Sequence, residues 1–187
     1  DNYFEATHLG AKQRRKFVKC HLMTGVRTHV VTSVEVTEGH ANDSPYLPGL
    51  VDGAADRGFK LAEVSADKGY LSHANVAAIE ARGAAPYVMF KSNSQGESGP
   101  ETWRRLHAYF TLEREKFLGH YHKRSNVESV FSAIKAKFGG AVRSKSDAAQ
   151  RNEVLLKVLM HNLCALVQAA HEIGLKPEFW TDGKAAS

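Results

Sequence analysis

The chain has 187 residues, 43% apolar and 24% charged, the make-up of one ordinary globular domain with room for a real core. No run reaches eighteen consecutive apolar residues, so no membrane span is expected, and nothing at the N-terminus reads as a signal peptide. The formal net charge of +5 is unevenly spread: residues 35–65 carry six acids against two bases, whereas residues 101–145 carry ten Lys/Arg against four Glu.

In chain order, residues 17–23 read as a strand and residues 28–37 as a second, rich in β-branched side chains, joined by the short turn Thr24-Gly25-Val26-Arg27. Residues 44–58 read as a helix with Ser44 as its cap and Pro45 at its first position. A strand over residues 61–66 runs straight into Asp67-Lys-Gly-Tyr70. Ser72 caps a helix through Arg82 that Gly83 ends, and residues 86–90 form another short strand. Residues 91–100 are a polar, Gly/Ser-bearing loop. Helices are expected over residues 102–117, 125–138 and 147–173. The last is expected to be buried along much of its length through Val154, Leu155, Val158, Leu159, Asn162, Leu163, Leu166 and Val167. The order predicts an α/β sheet with one antiparallel hairpin and a helical C-terminal part. Cys20 and Cys164 lie far apart in apolar stretches, without metal or redox spacing, and read as reduced, packed thiols in a cytoplasmic setting.

Two features carry chemistry. Asp67 stands at the C-terminal end of an apolar strand, where open α/β sheets place ligands and catalytic groups; a turn residue there is the plain alternative. In Tyr121-His-Lys-Arg124-Ser-Asn-Val-Glu128 and on to Lys135, helical spacing at about 100° per residue puts Tyr121, Arg124 and Lys135 roughly 20° to 40° from Glu128 on one stripe. Val127, Val130, Phe131, Ile134 and Phe138 form the adjoining apolar stripe that seats this helix on a core. The plain alternative is a salt-bridged face, since Arg124 and Glu128 are four apart. The basic stretches, including Lys12-Gln-Arg-Arg-Lys-Phe-Val-Lys19, attract phosphate backbones or serve as solvated faces.

The spacing Tyr-x2-Arg-x3-Glu-x6-Lys, met by Tyr121, Arg124, Glu128 and Lys135, resembles the signature of DDE transposases of prokaryotic insertion sequences. Asp67-Lys-Gly69-Tyr70 matches the Asp-x-Gly-Tyr/Phe element of the same proteins, and the resemblance runs from about Lys16 to Leu175. It implies a ribonuclease H-like mixed sheet flanked by helices. Three carboxylates on that sheet hold two Mg²⁺ ions, with Mn²⁺ able to take their place, against a scissile phosphodiester. The implied reactions are hydrolysis at transposon ends and strand transfer into target DNA. Asp67 becomes the second carboxylate and Glu128 the third, both metal ligands, while Tyr121, Arg124 and Lys135 meet DNA. The implied partners are the terminal inverted repeats, the target DNA and, in a homodimer, a second copy. The implied place is the prokaryotic cytoplasm and its nucleoid.

The first Asp of such a site is not found. Apart from Asp1, no Asp precedes Asp43, which lies in the polar segment HANDSP. The chain is therefore read as a partial catalytic domain over residues 1–175 with a loose tail over 176–187, beginning just after the first strand. That reading predicts unpaired strand edges, marginal stability and no cleavage by this chain alone. Three alternatives stand beside it: a nuclease of the same fold that cuts without joining, a non-catalytic DNA-binding remnant of a decayed element, and a histidine-based metal enzyme. The ten histidines are scattered without ligand spacing, which weighs against the last.

Overall fold

A computed structural model describes residues 2–7, 16–92, 94–96 and 98–174. The alternating, β-branched segments make its first sheet. β2 (Lys16–Thr24) and β3 (Val31–Glu38) pair antiparallel, with Cys20 opposite Val36 and Leu22 opposite Val34. The Gly25 amide donates to the Val30 carbonyl at 2.9 Å, so the connection is wider than the expected four-residue turn and β3 starts at Val31.

A strand that the sequence pattern does not announce, β1 (Tyr3–Ala6), pairs antiparallel with β2 through Phe4 and Val18. β6 (Ala141–Val142) then pairs parallel with β1, giving the order β3-β2-β1-β6. The edge of β2 that was expected to stand open is thus covered, by a strand that carries no Asp.

Period-two alternation sends Val18, Cys20 and Leu22 to one face of this sheet, where they meet α5 (Ser125–Phe138) and α6 (Asp147–Glu172). Phe4, Ile134, Val142 and Val154 are fully enclosed there. Burial pushes the Cys20 thiol up to about 12, which keeps it a packed, inert thiol as expected. The opposite face, with His21 and Met23, turns toward α1 (Leu47–Asp56). Ser44 does not cap this helix. It lies in a preceding 3-10 turn, and its hydroxyl instead accepts from Asn75 Nδ2 at 3.0 Å.

The second sheet has two parallel strands, β4 (Glu63–Ala66) and β5 (Ala85–Val88), joined through α2 (His73–Ala81). The expected cap is present, with Ser72 Oγ accepting from the Asn75 amide at 3.1 Å, and Gly83 ends the helix at φ 74°. Val64 and Ala66 point into a core with Val51, Ile79 and Val88. Among the described residues no strand pairs with the other edge of β4.

The single helix expected over residues 102–117 is two, α3 (Glu101–Leu112) and α4 (Arg114–Tyr121). Glu113 leaves helical space at φ −122°, ψ 47°, and the turn lets Phe117 and Tyr121 pack with Phe90, Trp103 and Leu106. A 3-10 turn (His122–Arg124) then joins α4 to α5.

α6 is not buried along much of its length. Val154 and Val158 are buried, but Leu159, Leu163, Leu166 and Val167 are 47% to 69% exposed. The helix lies against the sheet as far as His161 and Asn162, and the apolar residues beyond them have no face to cover among the described residues. Asn162, placed in the expected apolar stripe, is there for β3: its side chain donates to the Val31 carbonyl at 2.8 Å and accepts the Val31 amide at 2.7 Å. By length and composition α6 could cross a membrane, and Val154, Val158 and His161 fasten one side of it to the first sheet.

Candidate active site

Asp67 follows the last residue of β4 and caps the short turn Lys68–Tyr70. Its Oδ1 accepts from the Lys68 amide at 2.8 Å, the turn-capping role that was the plain alternative for this residue. The same oxygen also accepts from the Tyr121 hydroxyl at 3.3 Å, which no local turn requires. Asp67 is exposed, and its Oδ2 has no hydrogen-bond partner among the described residues.

Tyr121 ends α4 with its ring buried against Phe117, and only its hydroxyl reaches the site. Burial raises its pKa, with Asp67 adding to the rise and Arg124 opposing it, so the hydroxyl stays protonated and donates. The Arg124 guanidinium stands 5.1 Å from the centre of the Tyr121 ring, a cation–π contact, and donates to Glu128 Oε1 at 3.0 Å. Burial works against this cation, but Tyr121, Asp67 and Glu128 outweigh it and hold the guanidinium charged. Glu128 itself is 62% exposed in its side chain. Asp67, Tyr121, Arg124 and Glu128 thus form one continuous chain of contacts that joins the end of β4 to the distant α4–α5 segment.

Lys135 lies further along α5. Seven residues on from Glu128, about 10 Å along the helix axis, its ammonium stands 5.6 Å from the centre of the Phe4 ring of β1, and burial lowers its pKa.

Two groups support the site, and of their members the sequence motifs pointed only to Tyr70. Behind the Asp67 turn, the Tyr70 hydroxyl is 3.1 Å from Nδ1 of the buried His21, whose Nε2 is 3.1 Å from Thr37 Oγ1. Burial lowers the His21 pKa, against the attraction of Asp43, which ion-pairs with the buried Lys19 at 2.7 Å. In front, Glu63 bonds His120 Nδ1 at 2.5 Å and also Lys123. Burial resists ionisation of Glu63, yet bonds from Lys123 and His120 outweigh it and hold the carboxyl below its ordinary range. The available signal was the alternation of Glu63, Ser65 and Asp67 on one face of β4, which means little until that face's partner is known.

The carboxylates of Asp67 and Glu128 are hard oxygen donors, each with an oxygen left over, and suit a divalent cation such as Mg²⁺. Their number does not complete a two-ion site: among the described residues no group of three or more His, Cys, Asp or Glu could hold a metal ion.

A mixed α/β domain with an Asp at a strand end and a Tyr-Arg-Glu arm laid against it fits the ribonuclease H-like nuclease and transferase class. The model of the transposase DDE domain matches residues 3–163, and the chain belongs to that family. No curated protein and no solved structure gives a match. Membership makes this a domain of enzymes that move DNA, bind DNA and use divalent metal ions.

Proposed function

We propose that the domain is the catalytic core of an insertion-sequence transposase that hydrolyses phosphodiesters at transposon ends and transfers the freed strand into target DNA. The observation that carries this reading is the contact chain from Asp67 through Tyr121 and Arg124 to Glu128. An ordinary salt-bridged helix face accounts for the Arg124–Glu128 bond, but not for the Tyr121 hydroxyl on a strand-end Asp.

In this reading Asp67 and Glu128 are the second and third carboxylates and hold Mg²⁺, or Mn²⁺ in its stead. A bound pair of such ions would supply activation of a water or a DNA 3′-hydroxyl on one side and stabilisation of the leaving oxygen on the other. Tyr121 orients Asp67 and supports Arg124. Arg124 exchanges its Glu128 partner for a phosphate near the cut end, a bidentate acceptor that suits its planar fork. Lys135 meets phosphate further along α5. The catalytic domain spans residues 1–175, with residues 176–187 as a tail outside the described part. The partners are the terminal inverted repeats, target DNA and a second copy that pairs two ends, in a prokaryotic cytoplasm at the nucleoid.

A DDE site takes three carboxylates, and residues 2–42 hold no Asp. Asp1, outside the described residues, is the one Asp ahead of Asp43, and the first carboxylate of the site is left unassigned. A second reading, a non-catalytic DNA-binding remnant, draws on the same observation. Supplying a first-strand segment that ends in Asp, in cis, and assaying strand transfer with Mg²⁺ separates the two. Cleavage and joining that Asp67→Asn and Glu128→Gln each abolish support the transposase core; DNA binding without cleavage leaves the remnant.

A further inference from the structure

β4 meets the α4–α5 arm through one face, and every outward residue of that face makes a bond. Glu63 holds His120 and Lys123, Ser65 Oγ donates to the His120 carbonyl at 2.9 Å, and Asp67 accepts from Tyr121. The His120 ring is fixed a third way, stacked on Tyr87 of β5 at 4.3 Å and 6°. Lys123 is tied onward, its carbonyl accepting from Asn126 Nδ2 at 2.7 Å in the first turn of α5. Residues 120 and 123 thus bracket Tyr121 and immediately precede Arg124. Whatever fixes them on β4 also fixes how far the Tyr121–Arg124–Glu128 arm stands from Asp67.

We propose that Glu63, through His120 and Lys123, is a positioning residue that sets this separation. The proposal rests on the reading of Asp67 and Glu128 as a carboxylate pair. The Glu63 side chain is 23% exposed and lies four residues before Asp67, about 13 Å along the strand. It therefore acts through the arm and not on the reacting atoms. An ion pair of merely structural use would contribute stability without moving Tyr121.

The test places 3-fluorotyrosine at position 121 and reads its ¹⁹F resonance in the full chain, with Asp67→Asn as the reference for a broken Tyr121–Asp67 contact. In Glu63→Gln and Lys123→Met the resonance is expected to move toward the Asp67→Asn position, and in Lys123→Arg, which keeps the ion pair, to stay near the parent. Arg82→Met, which breaks the exposed pairs to Asp52 and Asp56 on α1, serves as a stability control and leaves the resonance unmoved. Parent-like resonances in both Glu63→Gln and Lys123→Met overturn the proposal, as does movement in Arg82→Met of equal size. A Mn²⁺ titration followed by electron paramagnetic resonance examines the underlying reading separately. Asp67→Asn should weaken binding by at least ten-fold, and Glu63→Gln by less than that, since Glu63 bonds neither carboxylate directly. Parent binding that ignores Asp67→Asn sinks the carboxylate-pair reading, while the fluorine result still decides whether Glu63 places Tyr121.

Discussion

The two sheets achieve stability in different ways, and the candidate site lies where they meet. The four-stranded sheet has long antiparallel partners and an aliphatic core closed by α5 and α6. The two-stranded sheet has four residues per strand and depends on helices and an aromatic cluster around Phe90, Trp103 and Phe117. Glu128 rides on α5, seated by Val130, Phe131 and Ile134 on the first core, whereas Asp67 ends a strand of the second. The lesson is that the carboxylate separation is a tertiary quantity, set by how the Tyr121–Arg124 joint ties one half to the other.

The largest effect should come from opening either core. Ile134→Ala and Ile79→Ala, both fully buried, should each cost about 2–5 kcal/mol in urea unfolding. If the halves form one cooperative unit, fluorescence of the buried Trp103 and far-ultraviolet circular dichroism will report one coincident transition in both variants. Separate transitions would break the domain into two units. Lys157→Met comes next. The buried Lys157 donates to the carbonyls of Gly139 and Ala141 at 2.9 and 2.6 Å, fastening the end of α5 to β6, and its loss should cost about 1–3 kcal/mol by the same assay.

Acid should weaken the fold in two stages. His21 is kept neutral in the fold by burial, so as pH falls below its ordinary 6.5 the unfolded chain takes up a proton first and stability is lost down to the lowered folded value. Glu63 is held ionised by Lys123 and His120, so its contribution is full above the ordinary 4.5 and disappears only as pH falls through its lower folded value. Urea midpoints at pH 8, 5.5 and 4 should therefore fall in two steps, and His21→Phe should remove the first. Tyr121→Phe removes a single 3.3 Å bond and keeps the ring, so it should change stability by about 1 kcal/mol or less while moving the Asp67 environment. Leu163→Gln on the exposed side of α6 should change monomer stability by no more than about 0.5 kcal/mol. A larger loss would show that this face is covered.

Local signals carried much of this into the sequence. Ser125–Phe138 was legible as one helix because its apolar stripe has a single period, and Ser72 and Gly83 marked the ends of α2. Asp67 and the Tyr121, Arg124 and Glu128 spacing were legible, and the structure brings these four together. Other features leave no local trace. The break at Glu113 has neither Gly nor Pro to announce it and exists so that Phe117 can turn inward. Four residues of β1 and two of β6 are too short for a period to register. α6 is apolar nearly all round in its second half, and periodicity cannot say which side is covered. Lys135 shares the stripe of Glu128 on paper, yet two turns of helix carry it to Phe4.

The one-sided pairing of β4 has a consequence for exchange with solvent. In a parallel pair, alternate amides of a strand point to the same neighbour, and among the described residues β4 has only β5. Deuterium should therefore enter β4 at every second amide, while Cys20 and its neighbours on the doubly paired β2 hold their protons. The strand that delivers Asp67 would then label faster than β2, and any segment that came to lie along its free edge would register as protection at those alternate positions.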